Sequence, residues 1–224
     1  MPKVDGVRER RHQPFYDTLL KGIGISTVQA KNALFGNANV GQRQLTNLQI
    51  PGVLASDQTY VIKALRVQMY FQSVNDSEFA AFGSLPDLAA SATGTNSRAE
   101  DLYSLLAYSA FFELTVGDKP QFFAPLWYAP AGGGITGFTT ENSRHVITNG
   151  VPSHQSILKL AKDIHVPARQ NFKVDIEIFP YNRLGAGQGG AYVADLDTVA
   201  YLNQFDGLKD VAFHIDGVQT RDVQ

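Results

Sequence analysis

The sequence predicts an all-β fold: an antiparallel sandwich or jelly roll of about eight strands, with an extended N-terminal arm and long loops. Three observations predict it. Apolar and polar residues alternate with period two over residues 58–72, 171–179 and 211–216, which marks strands with one buried face. Gly and Pro, 20 and 10 of the 224 residues, cut the chain into short segments. No alternation of strands with helices is sustained, which argues against a parallel α/β sheet.

Residues 1–14 hold Lys3, Arg8, Arg10 and Arg11 against Asp5 and Glu9, between Pro2 and Pro14. A polar, net-positive start of this kind is expected to be a mobile arm. Phe15, Leu19 and Leu20 fall near one face of a short helix over residues 15–21, stopped by Gly22 and Gly24. Residues 25–44 are polar and rich in Gly and Asn, with Leu34 and Phe35 as isolated anchors, and read as an extended segment. The expected division is therefore an arm over residues 1–44 and one jelly-roll domain over residues 45–224.

In residues 58–72, Leu65, Val67, Met69 and Phe71 alternate with Arg66, Gln68, Tyr70 and Gln72, so one face is buried and the other wet. A turn is expected at Asn75-Asp76, then a loop or short helix and loop over residues 84–100, where Pro86, Gly94 and Asn96 sit among Ala and Ser. Residues 101–116 begin as a helix and end as a strand. Residues 120–138 carry Phe122, Phe123, Trp127 and Tyr128 with Pro125 and Pro130, then Gly132-Gly133-Gly134, which reads as a strand entering a flexible loop. Short strands are expected at 145–148 and 156–160. The cleanest strand is 171–179, where Phe172, Val174, Ile176 and Ile178 alternate with Lys173, Asp175 and Glu177. A glycine-rich loop over 185–190 and a segment of open type over 192–205 precede the last strand, with Val211, Phe213 and Ile215 on one face.

The net charge of −2 and a pI near 6.2 give no global field toward nucleic acid or membrane, so any such contact is local. The absence of cysteine excludes disulfides, thiolate metal sites and a cysteine nucleophile. The basic start has no apolar run behind it and is not expected to be a secretory signal, and the apolar stretch 102–112 is too short to span a bilayer.

No catalytic or metal-binding motif is expected to operate. Gly185, Gly187 and Gly190 match the spacing of a dinucleotide fingerprint, but only 34 residues follow Gly190, too few to finish a nucleotide-binding half. The histidines His12, His145, His154, His165 and His214 form no ligand spacing. Ser153 and His154 are neighbours in sequence and point to opposite sides of an extended chain. Asp175 and Glu177 share a strand face and read as surface decoration rather than a glycosidase pair. The cluster Phe122, Phe123, Trp127, Tyr128 reads as core packing, with a sugar-stacking platform as the competing use. Arg8, Arg10 and Arg11 suit either a solvated tail or a phosphate contact.

Two stretches carry a resemblance. Leu45-Thr46-Asn47 followed by Pro51-Gly52-Val53-Leu54 and then the long strand from Tyr60, and the stretch from Ile164 to Val174 in which a Pro-x-x-Gln-x-Phe-x-Val pattern enters a strand, resemble the structural proteins of icosahedral viruses, above all the jelly-roll capsid proteins of tailless bacteriophages. It implies no catalytic residue, no cofactor and no small-molecule substrate. It implies self-assembly into a capsid lattice with other virion proteins, in a virion made in the host cytoplasm. Through the arm with Arg8, Arg10 and Arg11, it also implies contact with a neighbouring subunit, nucleic acid or an internal membrane. The chain is short for a double roll, which leaves a single roll or a minor capsid role open. The alternative reading is a carbohydrate- or receptor-binding β-sandwich module, as at a viral fibre or spike, with Trp127 and Tyr128 as its platform.

Overall fold

The structure is a computed structural model that describes residues 8–19, 31–36, 39, 41–73, 99–139, 145–178 and 207–222. Within these residues the strands are β1 (Arg8–His12), β2 (Phe15–Leu19), β3 (Lys31–Leu34), β4 (Gln58–Ser73), β5 (Ala110–Val116), β6 (Lys119–Pro125), β7 (Thr136–Thr139), β8 (His145–Thr148), β9 (Leu158–Val166), β10 (Phe172–Ile178) and β11 (Gly207–Asp222). One helix, α1 (Ala99–Ser109), runs directly into β5. The fold is all-β, in antiparallel sheets.

The two 16-residue strands β4 and β11 pair along their whole length, from Gly207 opposite Ser73 to Arg221 opposite Gln58. The other edge of β11 takes β1 and β2 end to end, and the other edge of β4 takes β9 and β8 end to end, with β7 beyond β8. The second sheet has the order β3-β10-β5-β6. The core lies between the sheets and is built from the alternation: Leu65, Val67, Met69 and Phe71 of β4 and Val211, Phe213 and Ile215 of β11 are buried against Val174, Ile176 and Ile178 of β10 and Phe112 and Leu114 of β5. Phe112 and Phe213 meet edge to face across the gap at 5.0 Å, a geometry aromatic rings favour. The helical start and strand-like end expected for 101–116 are both found. Leu102 and Leu106 of α1 point into the core.

Three expectations are corrected. Arg8–His12 is strand β1, not a mobile arm. The edge of β11 would otherwise lie bare, and facing charges favour the pairing: Arg8 opposes Asp222 and Glu9 opposes Arg221. Phe15–Leu19 is strand β2, not a helix. A short segment gains little from helix nucleation, whereas in β2 Phe15 and Asp17 are buried opposite Ile215 and Phe213. The strand expected at 156–160 is β9, Leu158–Val166; β4 shifts register between Ile62 and Ala64 where it meets β9, so the alternation along β9 is interrupted and only Ile164 and Val166 are buried. The segment 25–44 contains the short strand β3, and its two anchors, Leu34 and Phe35, are both buried. Lys3 and residues 1–7, Gly22 and Gly24, the turn at Asn75-Asp76, residues 84–98, the glycine loop 185–190 and the segment 192–205 lie outside the described residues.

Candidate functional site

The most distinctive surface lies where β6 leaves its sheet. Pro125 holds an extended backbone, and Leu126–Tyr128 form a single 3-10 turn. With three residues per turn, one side chain faces inward and its neighbours face out. Leu126 is buried, while Trp127 and Tyr128 are 54% and 47% exposed. Of the four rings expected in the core, only Phe122 packs against it, partly buried, while Phe123, Trp127 and Tyr128 are exposed. A ladder of rings climbs from Phe213 through Phe112 to Phe122 (5.7 Å, stacked), then Tyr128 (6.4 Å) and Trp127 (6.1 Å). Phe123, also exposed, stacks on Phe111 at 5.6 Å with the rings nearly parallel.

The chain beyond this turn is held by backbone pairing. Between β9 and β8 the edge of β4 has a gap, filled when Val67 N–H donates to Ala129 O at 2.7 Å and Ala131 N–H donates to Val67 O at 3.0 Å. Asn149 completes the seam: its Nδ2 donates to Val67 O at 2.5 Å and its Oδ1 accepts from Met69 N–H at 3.2 Å. The run Gly132-Gly133-Gly134, expected to be a flexible loop, packs against Asn149-Gly150. A Cβ at Gly132 would strike the carbonyls of Asn149 and Gly150, and one at Gly150, where φ is +90°, would strike Gly134 O. The result is a fixed platform on which Trp127, Tyr128, Ile135 and Val151 stand in solvent.

The predicted arginines separate. Arg8 pairs with Asp222 at 3.3 Å, and on the neighbouring register Arg221 pairs with Glu9 at 2.7 Å. Arg10 is exposed. Arg11 faces the other way: its Nε donates to Gln219 Oε1 at 2.6 Å, and it lines a cavity of about 810 Å³. The cavity lies between β1, β2 and residues 41–58, and sequence reading missed it because Arg43, Asn47, Gln58 and Gln219, which also line it, share no local pattern.

On the outer face of the larger sheet, Arg66 and Asp216 form a two-pronged ion pair, with Nη2 donating to Oδ1 at 2.7 Å and Nε 2.5 Å from Oδ2. His214 sits opposite Arg66, with the Tyr16 ring 5.9 Å away. Burial, reinforced by the Arg66 charge and opposed by Asp216, holds its imidazole below the usual range. Burial, with Asp216 adding, pushes the Tyr60 phenol far up. Asp175 is buried and pairs with Lys173 at 2.7 Å, so it is not simple surface decoration. Among the described residues no three His, Asp or Glu side chains gather as a metal-ligand set.

No protein-family model matches the chain, and no curated protein matches it.

Proposed function

We propose that the chain is a virion structural protein, a jelly-roll capsid subunit of a tailless icosahedral bacteriophage, which assembles with copies of itself and performs no catalysis. The observation that carries this reading is the order of strand pairing. If the end-to-end pairs β1/β2 and β8/β9 each count as one position, with β7 extending the latter, the chain has eight positions. The first then pairs with the eighth, the second with the seventh, the third with the sixth and the fourth with the fifth. This order supports the jelly-roll reading, since a jelly roll is one long antiparallel ribbon rolled over so that alternate strand pairs fall into two facing sheets, as in viral capsid and lectin domains. The exposed apolar side chains Trp127, Tyr128, Ile135 and Val151 suit contact between copies.

Light scattering on the purified chain, with electron microscopy of the product, tests the reading. Discrete oligomers or shells are expected. A strict monomer at every salt and protein concentration would overturn it.

The exposure of Trp127 and Tyr128 favours a second reading, a carbohydrate- or receptor-binding module with these rings as its stacking surface. Quenching of the single tryptophan across a glycan panel, in a chain that stays monomeric, would put this reading first.

A further inference from the structure

The cavity beside β1 has a chemistry that neither the platform nor the strand order uses. Arg11, Arg43, Gln13, Asn47, Gln58 and Gln219 line it together with apolar residues such as Leu48 and Leu54, and no carboxylate is among its described lining residues. A second cavity, on the outer face of the larger sheet, makes the contrast. There Lys63 pairs with Asp163 and Arg66 with Asp216, so two of its three described lining cations face a carboxylate within the cavity. In the first cavity neither arginine has a carboxylate among the described lining residues.

Arg11 is pre-positioned. Gln219, which holds Arg11 by Nε, is itself buried and donates its Nε2 to Gln58 Oε1 at 2.7 Å. This relay of neutral amides fixes the guanidinium, and among the described residues no carboxylate pairs with it. Arg43 is exposed, but its backbone carbonyl is pinned by the Tyr16 hydroxyl. A guanidinium presents its donors as a planar fork that matches oxyanions two at a time. One carboxylate is satisfied by a single fork, whereas a phosphate has oxygens enough for two, and amide side chains suit the hydroxyls and ring edges attached to it.

We propose that this cavity binds a phosphate group of a nucleotide or nucleic-acid strand, with Arg11 and Arg43 as its cationic clamp. The site takes a phosphate whether or not the chain assembles into a shell, and the two ideas are tested by different measurements.

The experiment is fluorescence anisotropy of a short labelled single-stranded oligonucleotide at low salt, with inorganic phosphate and a nucleoside monophosphate as competitors. Arg11→Gln and Arg43→Gln should each weaken binding about tenfold or more, the effect expected for losing hydrogen bonds to a charged group, while Arg10→Gln, outside the cavity on the same strand, should change it less than about twofold. Arg43 is an exposed loop side chain, so its variant tests the site even if Arg11→Gln harms folding. Displacement by the nucleoside monophosphate at a concentration comparable to or below that of unlabelled oligonucleotide would assign a free nucleotide as occupant; displacement by the unlabelled oligonucleotide at far lower concentration than the monophosphate assigns the strand, and either supports the site. No binding by any probe, binding that phosphate cannot displace, or equal weakening by Arg10→Gln would overturn it.

Discussion

Phe172 N–H donates to Gly52 O at 2.7 Å, and the next residues, Val53 and Asn171, form a bridge. The two stretches that carry the viral resemblance, more than a hundred residues apart, therefore meet at the entrance to β10. Gly52 has φ +55°, and a Cβ there would lie 2.8 Å from Phe172 O and 3.0 Å from Phe35 O. Gly52→Ala should cost about 2–4 kcal/mol, combining left-handed strain with the clash. Gly41→Ala, at φ +89° with nothing within 4 Å, should cost only the backbone term of about 1–2 kcal/mol. Urea denaturation of both variants checks the difference; equal losses would show that the approach at Gly52 is not tight.

The attachment of β2 to the chain that leaves β3 depends on Asp17. Its buried carboxylate accepts Phe35 N–H at 2.5 Å, Thr18 N–H at 3.0 Å and Asn39 Nδ2 at 2.6 Å. Phe35 there takes φ +64°, uncommon for a large side chain. Asp17→Ala strands these buried donors and should cost about 3 kcal/mol or more. Asp17→Asn keeps part of the acceptor set and should cost less. A variant as stable as the parent would remove Asp17 from this role.

Stability should fall on acidification through His214. Because its folded-state pKa lies below the unfolded value, the unfolded chain binds the extra proton more readily. Its contribution is intact above the unfolded pKa and is lost as pH drops from there toward the folded value. The groups that face it are Arg66, Asp216 and Tyr16. Denaturation at pH 8 and pH 5 should show a smaller acid loss for His214→Gln than for the parent chain; an identical loss would place the pH dependence elsewhere.

Trp127→Ala should leave the fold within about 0.5 kcal/mol, as is usual for an exposed side chain. Phe213→Ala, which empties the centre of the core, should cost about 3–5 kcal/mol. Under the capsid reading Trp127→Ala, alone or with Val151→Ser, also lowers oligomer mass in light scattering. Unchanged assembly in both would separate the platform from subunit contact.

The sequence by itself determined the strands that bury a face. In β4, β10 and β11 every apolar residue of the alternation read from Leu65 to Phe71, Phe172 to Ile178 and Val211 to Ile215 is buried, with Asp175, also buried, the exception on the opposite face of β10, because a period of two leaves only one way to hide every apolar side chain. It also carried a helix early and a strand late within residues 101–116, which the structure resolves as α1 and β5. Only the tertiary structure decided what the edges needed. Polar β1 and the Asp17-containing β2 carry no strong local pattern and are strands because β11 is long enough to need partners. Nothing local in the sequence marks the role of Asn47 or Asn149, yet the side-chain amide oxygen of each accepts a backbone N–H of a neighbouring strand, at Tyr16 and at Met69. The placement of Arg11 and Arg43 around one cavity, and of Trp127 in solvent rather than in the core, depended likewise on chain segments far apart in sequence. Periodicity reports which face a residue takes; which distant segment it meets is set by the closure of the two sheets.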